Sequence, residues 1–245
     1  MSDAGKKGER WYSDRLQAEI TVVRWGTFGR PVLIFPSAGG DAEEIERYGL
    51  VDACGQLLAD GRIKLYSVDS VAGQAMVNKS GPPEHRIWLL NQFHDCIRRE
   101  VVPAIHADLG GQATAVIAGG ASIGAFNAVA ALCRYPDVFA AAIGMSGSYR
   151  IERFYDRAWS QDLYYSAPLH FLPDLAGPQL DLLRQRFVVL ASGEGDWEDI
   201  GESWQLASVL GAKEIPNRVD NWGPQWSHDW HTWRQMLPRY LSELT

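Results

Sequence analysis

The feature that most constrains this chain is a rhythm. Seven short runs rich in Val, Ile, Leu and Ala recur along it, at 18–25, 31–35, 64–68, 113–118, 139–145, 186–191 and 218–221. Several are continuously apolar rather than alternating, the pattern of strands covered on both faces. The longer stretches between them, 42–59, 84–108, 123–134, 200–210 and 229–244, read as amphipathic helices, with Asp41 as an N-cap before the first and Pro136 closing the third. Such alternation predicts an α/β fold, a mostly parallel central sheet flanked by helices. At 245 residues the chain suits a single domain, 1–245. One segment breaks the rhythm: 147–185 holds seven aromatics and three prolines but no strand pattern, and reads as a small cap-like insertion over the carboxyl edge of the sheet.

Composition narrows the function classes. A hydrophobic content of 46% supports a substantial core without disulfides or metals. The three cysteines, Cys54, Cys96 and Cys133, are far apart and lie among apolar neighbours, as expected of buried thiols in a reducing compartment. No Cys/His ligand spacing suggests a metal. A net charge of −7 argues against nucleic acid or an anionic membrane as partner. The apolar runs are too short to span a bilayer, and the first sixteen residues lack the apolar core of a secretory signal. The expectation is a soluble cytoplasmic protein, compatible with a homo-oligomer.

In open α/β sheets, functional groups gather beyond the carboxyl ends of the strands. The run 113–118 leads into Gly120-Ala121-Ser122-Ile123-Gly124, a G-x-S-x-G placed between a strand and a helix. A serine on that turn must take a positive φ, and glycines two residues before and after relieve the crowding. Phosphate-binding loops fit worse. Gly119 and Gly124 have P-loop spacing, but Ala125 and Phe126 stand where Lys and Ser/Thr are needed, and Ala121 replaces the middle glycine of a dinucleotide fingerprint.

A serine nucleophile needs a base, and the base an orienting acid. The run 186–191 is followed by "SGEGDWEDIGE", which offers Asp196, with Glu194 as an alternative. The last run is followed by "WGPQWSHDWHTW", where His228 lies at the loop-to-helix junction and His231 falls inside the helix, favouring His228. For the oxyanion hole, the backbone N–H of Ile123 follows the nucleophile, and "FPSAGG" supplies a second from Ala38, with Ser37 next in line. Ser146 lacks the flanking geometry and reads as a strand-end or pocket-lining residue. Most of the tryptophans in 197–233 read as packing, whereas Trp197 and Trp226 are candidates for a substrate pocket, alongside Ser37 and Tyr149.

The segments "PSAGG", "GASIGAFNA", "SGSY", "APLHFLPDL", "GEGDW" and "HDWHTWRQMLPRYL" resemble the esterase D-like branch of the α/β-hydrolase superfamily, which includes feruloyl esterases, S-formylglutathione hydrolases and mycolyltransferases. The resemblance spans nearly the whole chain. It implies Ser122 as nucleophile, Asp196 as acid, His228 as base, no cofactor and a small-molecule ester substrate. Ser227 and Ser37 depart from it, standing where relatives often have glycine. An acyltransferase of the same fold, or a non-catalytic binding protein built on it, are the alternatives.

Overall fold

The apolar runs form one sheet. The structure, a computed structural model describing residues 5–245, has eight strands: β1 Lys7–Ser13, β2 Ala18–Trp25, β3 Arg30–Phe35, β4 Ile63–Val68, β5 Val116–Ala121, β6 Phe139–Met145, β7 Phe187–Ser192 and β8 Asn217–Asn221. They pair in the order β1-β2-β4-β3-β5-β6-β7-β8. The six strands from β4 to β8 run parallel, while β1 and β2 join antiparallel at one edge. This is the α/β-hydrolase architecture expected from the sequence. Every residue of β4 and β5 is buried, as continuous apolar runs require, and a separate apolar cluster lies on each face of the sheet.

Where the structure departs from the sequence reading, the reasons are local. β1, "KGERWYS", went unrecognised because an outer strand facing solvent carries no apolar run. β5 starts three residues later than expected and continues through Gly119 and Gly120 to Ala121, because those glycines pair with Ile34 and Phe35 of β3. It therefore delivers the chain directly into Ser122. The helix expected over 42–59 is split into Glu44–Arg47, Leu50–Ala53 and Gly55–Ala59, with Gly49 at φ +74° between the first two. The one expected over 84–108 is a continuous rod, Pro83–Asp108. It widens into a π-turn at Ile97–Val101, just before Pro103, whose ring and missing N–H are incompatible with a regular α-turn. A helix at Val71–Val77 was not anticipated.

The segment 147–185 connects β6 to β7 through short helical pieces, among them Ile151–Tyr155 and Gln161–Ser166. The three thiols are unpaired and buried, and burial pushes Cys54 and Cys96 up to about 12. His94, on the rod Pro83–Asp108, is wholly buried. It takes a hydrogen bond from Arg134 and contacts Asn127, and desolvation lowers its pKa to about 3, so it is a neutral core residue. Among the described residues, no helix is long and apolar enough to cross a membrane.

Candidate active site

Ser122 sits on the turn between β5 and the helix Ile123–Arg134 at φ +56°, ψ −121°, a conformation that an L-residue adopts only when its surroundings impose it. The sterics explain the flanking glycines. A Cβ on Gly120 would lie 2.4 Å from the Gly124 backbone, and one on Gly124 would lie 2.3 Å from the Phe35 carbonyl oxygen. The Ser122 N–H donates to the Met145 carbonyl at the end of β6 (3.0 Å), and its own carbonyl accepts from Ala125 and Ser148. The turn is thus wedged between β3 and β6.

The two expected oxyanion donors lie on either side of this wedge. Ile123 is the first residue of the helix, so its N–H has no intrahelical acceptor, and it makes no other hydrogen bond among the described residues. Ala38 sits at φ +26° in the loop after β3, and its N–H is likewise free. Its carbonyl is turned away, accepting from Ser70 Oγ (3.1 Å), and the helix Val71–Val77 lies so close that a Cβ on Gly73 would be 1.9 Å from that oxygen. Ser37 is already engaged: its N–H (2.7 Å) and hydroxyl (2.9 Å) both donate to the carboxylate of Glu44. That leaves its backbone unable to serve as the oxyanion donor and its side chain tied down, unlike the pocket-lining role expected of it. Glu44 is itself buried, and desolvation raises its pKa against the opposing pull of those two hydrogen bonds. Sequence reading passed over Glu44 as an ordinary first-turn acid.

His228 lies in the loop after β8, its ring edge-on to that of Trp233 with centroids 5.2 Å apart. Trp233 Nε1 donates to Ser146 Oγ (2.9 Å), and Ser146 directly follows the Met145 that holds Ser122. Through Trp233 and Ser146 the His228 ring is tied to the carboxyl end of β6, the strand end that also holds the Ser122 N–H; among the described residues no hydrogen bond joins the side chains of His228 and Ser122. Partial burial lowers the His228 pKa. The carboxylates of Glu198 and Asp229 oppose that shift, and the Arg153 guanidinium adds to it.

The carboxylate expected as the acid, that of Asp196, faces solvent. Asp196 is exposed, and among the described residues its carboxylate makes no hydrogen bond; it meets His228 only through its main-chain carbonyl, which accepts the His228 N–H (2.9 Å). The next residue, Trp197, takes φ +66° and turns the chain, and Glu198 beyond it points inward instead. Glu198 accepts from Ser146 Oγ (2.5 Å) and from Ser192 Oγ at the end of β7 (2.8 Å), and its charge is the one felt most strongly at the imidazole. Glu194 bonds Asn221 on the surface. The direction of the backbone, which spacing alone does not fix, decides which of these carboxylates turns inward. Ser146, read as a strand-end or pocket-lining residue, follows the end of β6 as a second serine at positive φ (+48°) and bridges Glu198 and Trp233.

The pocket candidates scatter. Tyr149 is 2% exposed, packed beneath Gly144 and Gly147, and cannot touch a ligand. Trp226 stacks on His231 and abuts Trp222 beside β8. Trp197 stands 92% exposed at the tip of the acid loop.

The comparisons with known proteins agree with this architecture. The family model described as "Putative esterase" matches residues 67–244. Among curated proteins, none matches the chain by sequence. Solved structures with the same fold include a ferulic acid esterase, 14% identical over 98% of this chain and 96% of that one, with a TM-score of 0.73. An S-formylglutathione hydrolase from Agrobacterium tumefaciens is 12% identical over 97% of this chain and 93% of its own, at a TM-score of 0.71. The fluorophosphonate-binding serine hydrolase F of Staphylococcus aureus is 13% identical over 98% and 97%, at 0.68.

Proposed function

The chain belongs to this esterase family, a carboxylic ester hydrolase by descent, and from that premise we propose that it cleaves small esters with Ser122 as nucleophile, His228 as base and Glu198, rather than Asp196, as the orienting acid. The observation that carries the proposal is Ser122 itself. A half-buried serine at φ +56°, between glycines that leave no room for a Cβ, is strain with no structural purpose of its own.

In this scheme Ser122 Oγ attacks the ester carbonyl carbon as His228 takes its proton. The carboxylate of Glu198 stabilises the imidazolium so formed, and Ser146 and Ser192 keep that carboxylate in place. Negative charge developing on the carbonyl oxygen is met by the free N–H groups of Ile123 and Ala38. His228 then returns the proton to the departing alcohol, and water attacks the acyl-enzyme by the reverse route. The chemistry calls for no cofactor.

The test is hydrolysis of 4-nitrophenyl acetate by the purified protein, with covalent labelling by a fluorophosphonate. Both activities should vanish in Ser122→Ala. Undiminished turnover in that variant would overturn the assignment.

A further inference from the structure

The segment that follows the nucleophile carries a group of charges that ester hydrolysis alone does not require. Ser148 N–H bonds the Ser122 carbonyl, and within the next nine residues come Arg150, Arg153 and Arg157. These three, with Glu152, Trp159 and His170, line an open cleft of about 610 Å³. On a chain of net charge −7, the lining of this cleft brings three guanidinium groups beside a single carboxylate, that of Glu152.

Two of the three are held in place by the acid loop and the helix beyond it. Arg150 Nη2 bonds Asp199 (2.6 Å), and Arg153 Nη1 bonds Glu202 (2.5 Å). Both carboxylates have further donors of their own: Glu202 also takes the N–H groups of Tyr149 and Arg150, and Asp199 caps the helix Ile200–Ala212 through Gly201 N–H. The carboxylates are thus saturated, while each guanidinium, with five N–H donors, retains several that point to no protein acceptor. Arg157 is different. Among the described residues it has no acidic partner, and it is exposed. Consecutive left-handed residues, Asp156 at φ +53° and Arg157 at φ +59°, place it, and the turn is anchored from below by the buried Arg86, which bonds Asp156 Oδ2 (2.9 Å) and the Phe154 carbonyl (3.2 Å). Trp159, 64% exposed, stacks on His170 and forms a flat wall beside it. Asp199, which holds Arg150, directly follows Glu198, so the Arg150 end of the cleft adjoins the loop that carries the proposed acid.

We infer that this cleft binds an anionic group, a carboxylate or phosphate, on the part of the ester remote from the scissile bond, with Arg157 as the principal contact and Arg150 and Arg153 as pre-set forks beside it. The inference rests on the esterase reading for the identity of the ligand as substrate. The arrangement suits fork-shaped donors to paired anionic oxygens, with Arg157 supplying the guanidinium that no carboxylate neutralises among the described residues.

The Ser122→Ala protein permits binding to be measured without turnover. Isothermal titration with monomethyl glutarate, methyl phosphate and the neutral dimethyl glutarate should show at least one anion bound about tenfold more tightly than the neutral diester, and less tightly as NaCl is raised. Which anion wins identifies the source of the charge. Arg157→Gln in the same background should bring the ratio of anion to neutral affinity toward one, with Arg157→Lys intermediate. Equal affinity for anion and diester, or a ratio unmoved by Arg157→Gln, would overturn the inference. Hydrolysis of 4-nitrophenyl acetate by the unmutated protein is followed in parallel. Hydrolysis without anion preference removes the cleft proposal alone. Anion preference without hydrolysis supports the cleft and removes the esterase reading.

Discussion

Ser122 and Glu198, the proposed nucleophile and acid, are held by opposite means. The nucleophile is fixed by backbone: two strands, a helix terminus and two glycines whose missing side chains let the main chain close on itself. The acid is fixed by side chains: two serine hydroxyls at the ends of β6 and β7, one of them steadied by a tryptophan. Backbone wedging resists displacement because nothing can rotate out of the way. A hydroxyl-held carboxylate can be retuned by changing one donor, so the two regions should respond differently to substitution.

The largest effect expected is at the nucleophile, where Ser122→Ala should lower kcat by about 10⁵–10⁶-fold with the circular dichroism spectrum unchanged. Next is the acid. Glu198→Gln should cost about 10³–10⁴-fold in kcat, while Asp196→Asn stays within about twofold, as an exposed carboxylate without a partner should. The reverse order would restore Asp196 and dissolve the contrast. Gly124→Ala strikes the wedge: the added carbon meets the Phe35 carbonyl, so thermal unfolding should register a loss of about 1–3 kcal/mol together with lost activity. Ser146→Ala strikes the hydroxyl support instead, with kcat reduced about tenfold and a stability change nearer 1 kcal/mol.

The pH profile sharpens the same comparison. The neutral imidazole is the base, so kcat/KM should rise with pH through a His228 pKa below the ordinary value, lowered chiefly by burial. Glu198 favours the imidazolium and thus raises that pKa. Removing its charge in Glu198→Gln should move the acidic limb to still lower pH, whereas Asp196→Asn should leave the limb where it is. A limb that moves upward in Glu198→Gln contradicts the assignment.

The two kinds of restraint also explain what was legible in the sequence. A backbone wedge writes itself into the chain, because Gly120 and Gly124 must stand at fixed offsets from Ser122 and a strand must precede them; the elbow, the parallel sheet and the loop bearing Ala38 follow from such local rules. The proposed acid does not. Glu194, Asp196 and Glu198 are equivalent by composition, and which of them turns inward is set by the left-handed turn at Trp197 and by hydroxyls at the ends of β6 and β7, one of them, Ser146, 52 residues away in sequence. The one available signal was the pair Ser146 and Ser192, hydroxyls at the ends of adjacent strands. Glu44 escaped for the same reason: its importance lies in what it touches, Ser37, seven residues back across a turn.

The loops that carry Glu198 and His228 are laced to each other. Glu194 N–H meets the Gly223 carbonyl, Gly195 meets Trp226, His228 meets Asp196, and Asp196 N–H meets the Ser227 hydroxyl, while Gly193 has no room for a side chain against Trp226. Mechanically they behave as one clasp rather than two fingers. Grafting either loop alone into a related scaffold would tear these stitches, so acid and base are inherited as a single transferable part, and the serine at 227, a departure from the usual glycine, is one of its fasteners.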